Sequence, residues 1–102
     1  MWYPSFGGDP VTRFLWDTGR EAENILKHNV DFTTAEQAFD DPNRRIQHDS
    51  KHSQEENRFF CFGKVAERIL TVRFTYRDGA IRIIGAGYWR KGKAIYEKKK
   101  RN

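Results

Sequence analysis

Residues 68–87, RILTVRFTYRDGAIRIIGAG, decide the fold. Asp78 and Gly79 separate two runs rich in β-branched and aromatic residues, and both tolerate the positive φ that a two-residue type I′ turn demands. The sequence therefore predicts a hairpin of strands 68–77 and 80–88. With Asp78 and Gly79 as the turn, Arg77 faces Ala80, Thr75 faces Arg82, Arg73 faces Ile84 and Thr71 faces Ala86. One face then collects Leu70, Val72, Phe74 and Tyr76 with Ile81, Ile83, Gly85 and Gly87, an apolar surface for a core. The other gathers Arg73, Arg77 and Arg82 among Thr71, Thr75 and Tyr88.

Upstream, a strand over 58–64, joined through a short Ala66-Glu67 turn, adds Arg58, Phe60, Phe62 and Lys64 to the arginine face. Residues 43–57 are polar apart from Ile46, so one edge strand near 44–48 and then a mobile loop are expected. Before them, Thr33 and Glu36 have the spacing of a capping box, with Ala35, Ala38 and Phe39 repeating a helical stripe until Asp41-Pro42 breaks it. From Gly19, the residues Ala22, Ile25 and Leu26 fall at i, i+3 and i+4, a stripe that a helix can bury, and Asn29 suits its left-handed end so that Val30 and Phe32 fold back. Residues 1–11 read as irregular and 12–16 as a short strand. At the other end, RKGKAIYEKKK carries Ile95 and Tyr96 and closes the chain with a helix, followed by a basic tail at 98–102. The expected architecture is α+β in one domain, 1–102: about four strands in an antiparallel sheet, two N-terminal helices and a C-terminal one.

Nineteen Lys and Arg against fourteen Asp and Glu give a net charge of +5, which favours a polyanionic partner. No apolar run approaches the roughly 18 residues of a membrane span, and the N-terminus lacks the pattern of a secretory signal. The one cysteine, Cys61, lies in the apolar run RFFCFG, which excludes an internal disulfide and suits a buried thiol. A reducing, cytoplasmic setting is expected.

Like charges side by side on a sheet are unfavourable, by up to about 1 kcal/mol per pair, so the arginine cluster calls for an anion. Arginine forks bind phosphate bidentately and exposed phenylalanines stack bases, a combination suited to single-stranded RNA. The same pattern also fits a solvated sheet face whose arginines pair with Glu55, Glu56 or Asp78, or one covered by the C-terminal helix. His48 and His52 with Asp49 and Glu55 have a spacing that a metal could use, but lie in the polar loop without a regular frame. No cofactor is expected.

The segments FLWDTGREAENILKHNVDFTTAEQAFDD, EENRFFCFG, ILTVRFTYRDGAIRIIGAG and AIYEKK, in that order and spacing, resemble the BrnT family of toxins from type II toxin-antitoxin systems. The resemblance covers about residues 13–98. It implies a RelE-like fold, a ribonuclease activity that blocks translation by cutting mRNA, a BrnA-type antitoxin as partner, and contact with operator DNA only through that antitoxin. The family's Glu-x-Arg appears as Glu56-Asn57-Arg58, its Thr-x-Arg as Thr75-Tyr76-Arg77 and its Arg-Ile-Ile as Arg82-Ile83-Ile84. Where the family continues Ser-Ala-Arg this chain has Gly85, Ala86 and Gly87, so a cation is missing, with Arg90 or Lys91 near enough in sequence to replace it. Asn29 stands where the family has Gly.

A metal-free ribonuclease must take a proton from a 2′-hydroxyl, neutralise a phosphorane and protonate the leaving 5′-oxygen. Arg77 and Arg82 are expected on the phosphate with Arg58 beside them. Arg73, Lys64, Phe60, Phe62 and Tyr88 are expected along the RNA, and Glu56, His28 and Tyr88 are the proton-transfer candidates. A histidine placed like His28, at a helix C-terminus, is more often a dipole-favoured end residue than a base. The rival readings are a catalytically inactive relative that binds antitoxin as a co-repressor, and a general RNA-binding module.

Overall fold

A computed structural model describes residues 12–99; the irregular segment 1–11 and most of the basic tail lie outside the described residues. The architecture is α+β, three helices with a five-stranded mixed sheet. The strands are β1 (Phe14–Leu15), β2 (Arg45–His48), β3 (Arg58–Val65), β4 (Arg68–Arg77) and β5 (Ala80–Gly87), in the order β1-β5-β4-β3-β2. Four pair antiparallel in sequence order. The fifth corrects the expectation of an all-antiparallel sheet: the segment 12–16 contributes two strand residues, which pair parallel to β5.

The central hairpin forms as predicted, with Asp78 and Gly79 at φ 52° and 76°. Its register runs from Arg77 opposite Ala80 to Phe74 opposite Ile83 and then slips. A bulge at Ile84 places Arg73 opposite Gly85 and Thr71 opposite Gly87, one residue beyond the regular pairing. A bulge sets two residues against one and so exchanges the faces beyond it. Ala86, not Gly85 or Gly87, joins Val72 in the core, and Tyr88 moves from the arginine face to pack against the main core.

The core lies on one side of the sheet, where Leu70, Val72, Phe74, Ile81 and Ile83 meet Val30, Phe32, Ala35 and Phe39. These last come from helix α2 (Phe32–Glu36) and the 3-10 turn Gln37–Asp40. The N-cap of α2 is Asp31, whose carboxylate accepts from the Thr34 amide at 2.7 Å; the expected capping box at Thr33 and Glu36 is displaced by this earlier cap. Cys61 is fully buried in the same core, and burial raises its thiol well above the usual range, so it packs as a small hydrophobe.

Helix α1 (Thr18–His28) starts at an Asp17 cap, 2.8 Å from the Arg20 amide, and ends on left-handed Asn29 as its sequence predicts. Its orientation is the reverse of the expected one. Ala22, Ile25 and Leu26 are exposed, Leu26 by 87%, and the buried residue is Asn24. The reason is position: α1 runs alongside β5, and the Asn24 amide bonds both the N–H and the C=O of Ala86, at 3.1 and 3.0 Å, and the Val30 carbonyl at 2.9 Å. A polar group meets the strand's backbone there, and the stripe turns outward.

Helix α3 (Arg90–Lys99) crosses the opposite face of the sheet. Its approach depends on Gly92, where a Cβ would lie 1.9 Å from the Thr71 hydroxyl. Tyr96 packs with Phe62 and Ile69 in a second small core. Its hydroxyl donates to Asp41 at 2.7 Å, and Asp41 also accepts from the Lys64 amide at 2.7 Å and the Asn43 amide at 2.8 Å. Burial works to raise the Asp41 pKa, but these hydrogen bonds and the Lys64 charge outweigh it and leave the carboxyl below its usual range. No helix among the described residues is long and apolar enough to cross a membrane.

Candidate anion-binding site and its acid–base groups

Four arginines surround one buried threonine. Thr75, 1% exposed, is flanked by Arg58 on β3 and Arg82 on β5, with Arg73 and Arg77 two residues before and after it on β4. Side chains alternate along a strand and align across the ladder, so all four leave the sheet on the same side. The Thr75 hydroxyl donates to the Asn57 carbonyl at 2.6 Å, which ties the centre of the cluster to the chain segment bearing Glu56.

Among the described residues, Glu56 is the one carboxylate paired with this cluster: Oε1 lies 2.8 Å from Arg77 and Oε2 3.4 Å from Arg58. The hydrogen bond from Arg77 holds the Glu56 carboxyl below its usual range, and the charges of Arg77 and Arg58 add to this against an opposing effect of burial. Arg58 Nε is buried without a hydrogen-bond partner. Arg73 and Arg82 have no ion pair among the described residues. One carboxylate for four guanidiniums leaves a strong excess of positive charge, and fixed donors of this kind hold phosphate.

The predicted site residues divide. Arg58, Arg73, Arg77, Arg82 and Glu56 come together. Phe60 stands opposite Arg73 and is half-buried, so it stays beside the cluster. Phe62 does not serve as a free stacking platform: it is 2% exposed under α3, its ring 5.8 Å from that of Phe60. Lys64 is exposed at the far end of β3, six residues from Arg58 or about 20 Å along a strand. There it lines a polar cleft with Arg68, Arg90 and Lys93. Tyr88 and His28 also lie at that end. Arg68 sits 3.9 Å above the Tyr88 ring, and the His28 imidazole packs edge-on against Trp89 at 5.0 Å. The Ile84 bulge removes Tyr88 from the arginines, and α1 places His28 beyond β5.

A candidate acid–base group that the sequence placed only in a metal-binding spacing is His52. The short turn Ser50–His52 brings its Nδ1 to 2.9 Å from Asp49 Oδ2, and Asp49 is 6% exposed. A buried carboxylate on one ring nitrogen fixes the orientation of the other. His52 lines a shallow cavity of about 190 Å³ together with Glu56 and Arg58. The signal in the sequence was Asp49 three residues before His52, a spacing that acts only once the chain turns there. His48 instead bonds Asn57 at 3.2 Å, and among the described residues no group of His, Cys, Asp and Glu is arranged to hold a metal ion.

Gly87 also has a structural account. A Cβ there would meet the Trp89 indole at 2.7 Å, so the ring occupies the space above the strand end. Lys91 lines a cavity beside that ring, whereas Arg90 lines the polar cleft on the other side of α3.

The fold is α+β with a helix-backed sheet, and the site joins an arginine cluster to a histidine oriented by a buried carboxylate, an arrangement with the donors to bind a phosphodiester. A family model described as the ribonuclease toxin BrnT of type II toxin-antitoxin systems matches residues 16–92. The chain belongs to that family, and the toxin role implies an antitoxin partner and an RNA substrate. A search of curated proteins gave no match.

Proposed function

We propose that this chain is a metal-independent endoribonuclease of RelE-like type whose reaction centre is the arginine cluster around Thr75. Arg82 and Arg73, free of acidic partners among the described residues, take the scissile phosphate, and Arg77 and Arg58, held by Glu56, take the charge that develops on the phosphorane. His52, oriented by Asp49, carries the proton from the 2′-hydroxyl to the leaving 5′-oxygen, giving a 2′,3′-cyclic phosphate and a 5′-hydroxyl. Glu56 keeps its negative charge at neutral pH and positions the two guanidiniums. His28 and Tyr88, at the opposite strand end, take no part. The carrying observation is four arginines converging on one threonine with a single carboxylate among them.

The partner is a BrnA-type antitoxin with enough acidic surface to cover these arginines, and operator DNA is reached through it alone. The protein acts in the cytoplasm, on mRNA.

The test is incubation of the purified protein with labelled RNA in chelator, with and without translating ribosomes. Cleavage to cyclic-phosphate ends, lost about 10²–10³-fold in Arg82→Ala, is the expected result. RNA left intact in both arms overturns the nuclease reading and favours a catalytically inactive, antitoxin-binding relative, a reading motivated by Gly87 and the indole lying on it.

A further inference from the structure

A second cavity, of about 370 Å³, opens between α3 and the sheet, lined by Gln47, Phe60, Phe62, Thr71, Trp89 and Lys91. Its volume lies in the range of small-ligand pockets, about 300–1,000 Å³. Three observations bear on what it holds. First, it adjoins the arginine cluster directly, because Phe60 is the cross-strand partner of Arg73 and Gln47 is the partner of Phe60. Second, its walls are aromatic: Phe60 is half-buried and stacked on Phe62 at 25°, and Trp89 is 37% exposed although the absence of a side chain at Gly87 leaves its ring a seat on the strand. Third, the hydroxyl of Thr71, a residue 4% exposed, has no hydrogen-bond partner, and buried hydroxyls are rarely left so.

From these we propose that the cavity between α3 and β2–β4 is a nucleobase pocket, which seats the base next to the phosphate held by Arg73 and Arg82. A base suits it better than an aliphatic or peptide ligand. It is flat, it stacks on phenylalanine and tryptophan, and its edge carries donors and acceptors for the Gln47 amide, the Lys91 ammonium and, where α3 gives way at Gly92, the unspent Thr71 hydroxyl beneath it. The arginines grip any phosphate and carry no sequence information, whereas a walled pocket with a few polar groups distinguishes one base from another. The pocket gives the enzyme its base preference at one position. This inference rests on the nuclease reading for its biological meaning, but not for its test.

The experiment titrates the protein with AMP, GMP, CMP, UMP and, as the base-free control, ribose 5-phosphate, following tryptophan fluorescence and calorimetric heat. At least one nucleotide is expected to bind about tenfold more tightly than ribose 5-phosphate, in keeping with the strength of base–aromatic stacking. Phe60→Ala and Gln47→Ala should each narrow that gap, and Thr71→Val should change which base is preferred. Gln47 is exposed on an edge strand, so its variant keeps the test open if Phe60→Ala does not fold. Equal binding of all five ligands, or a preference untouched by all three substitutions, overturns the pocket. Base-selective binding by a protein that cuts no RNA overturns the nuclease reading while the pocket stands.

Discussion

The two halves of one sheet face have opposite fates. Near the Asp78-Gly79 turn the face carries Arg58, Arg73, Arg77 and Arg82 without cover from α3, while near the Ala66-Glu67 turn it carries Phe62, Thr71 and Ile69 beneath that helix. The strands and the alternation are shared, so the difference comes from what each half can bury. A helix can seal phenylalanine and isoleucine against a sheet; it cannot seal four guanidiniums served by one carboxylate without leaving charge desolvated. On the proposed function the covered half supplies stability and the open half supplies chemistry, and substitutions should separate the two.

The largest effect belongs to the covered half. Phe62→Ala removes a buried ring beneath α3 and should lower stability by about 3–5 kcal/mol, read from the urea midpoint. Arg82→Ala should reverse the pattern. Cleavage falls about 10²–10³-fold while the midpoint stays within about 0.5 kcal/mol of wild type, because the lost side chain has no partner to strand. A large loss of stability in Arg82→Ala would break the division.

Smaller effects test the clamp that closes α3. Tyr96→Phe should cost about 1.5 kcal/mol, the worth of a hydrogen bond to a charged group. Tyr96 itself, pushed up to about 12 by burial and then by Asp41, stays a protonated donor at physiological pH. Asp41 sets the acid side. Its folded pKa is lowered, so its contribution is complete above the unfolded value near about 3.9 and is lost as pH falls through the lower folded value. Asp41→Asn should be less stable at neutral pH and should show a flatter decline between about pH 5 and 2. The smallest effect lies at the turns. Ala66 and Glu67 adopt φ 49° and 70°, the geometry Asp78 and Gly79 adopt at 52° and 76°. Glu67→Gly should therefore gain up to about 1 kcal/mol and Gly79→Ala lose about as much, neither changing cleavage.

Legibility followed locality. The Asp78-Gly79 hairpin, the end of α1 at Asn29 and the three long strands were readable because turn chemistry and alternation are written within a few residues. The inward side of α1 was not: amphipathicity says that Ala22, Ile25 and Leu26 can be covered, and says nothing of Asn24 finding a strand's backbone to bond. Nor was the Ile84 bulge, which is set by pairing with β4 and decides which way Tyr88 points. The arginine cluster survived this slip because Thr75 opposite Arg82 lies on the hairpin side of it. The Asp49–His52 pair was hidden in a polar segment whose turn is fixed by the Ser53 hydroxyl donating to the Asp49 carbonyl at 2.6 Å and accepting from the Arg58 amide at 2.9 Å.

The Asn24 amide carries one more consequence, for how the molecule meets its neighbours. Strand β1 covers β5 only at Ile81 and Arg82, and past that point a bare row of backbone groups would invite another chain to zip on and polymerise. One carboxamide plugs the gap by imitating a peptide unit, its oxygen and nitrogen meeting Ala86 as a neighbouring strand would. Asn24→Leu should therefore yield protein that self-associates as well as protein that is less stable, and light scattering over a dilution series would register the first independently of the second.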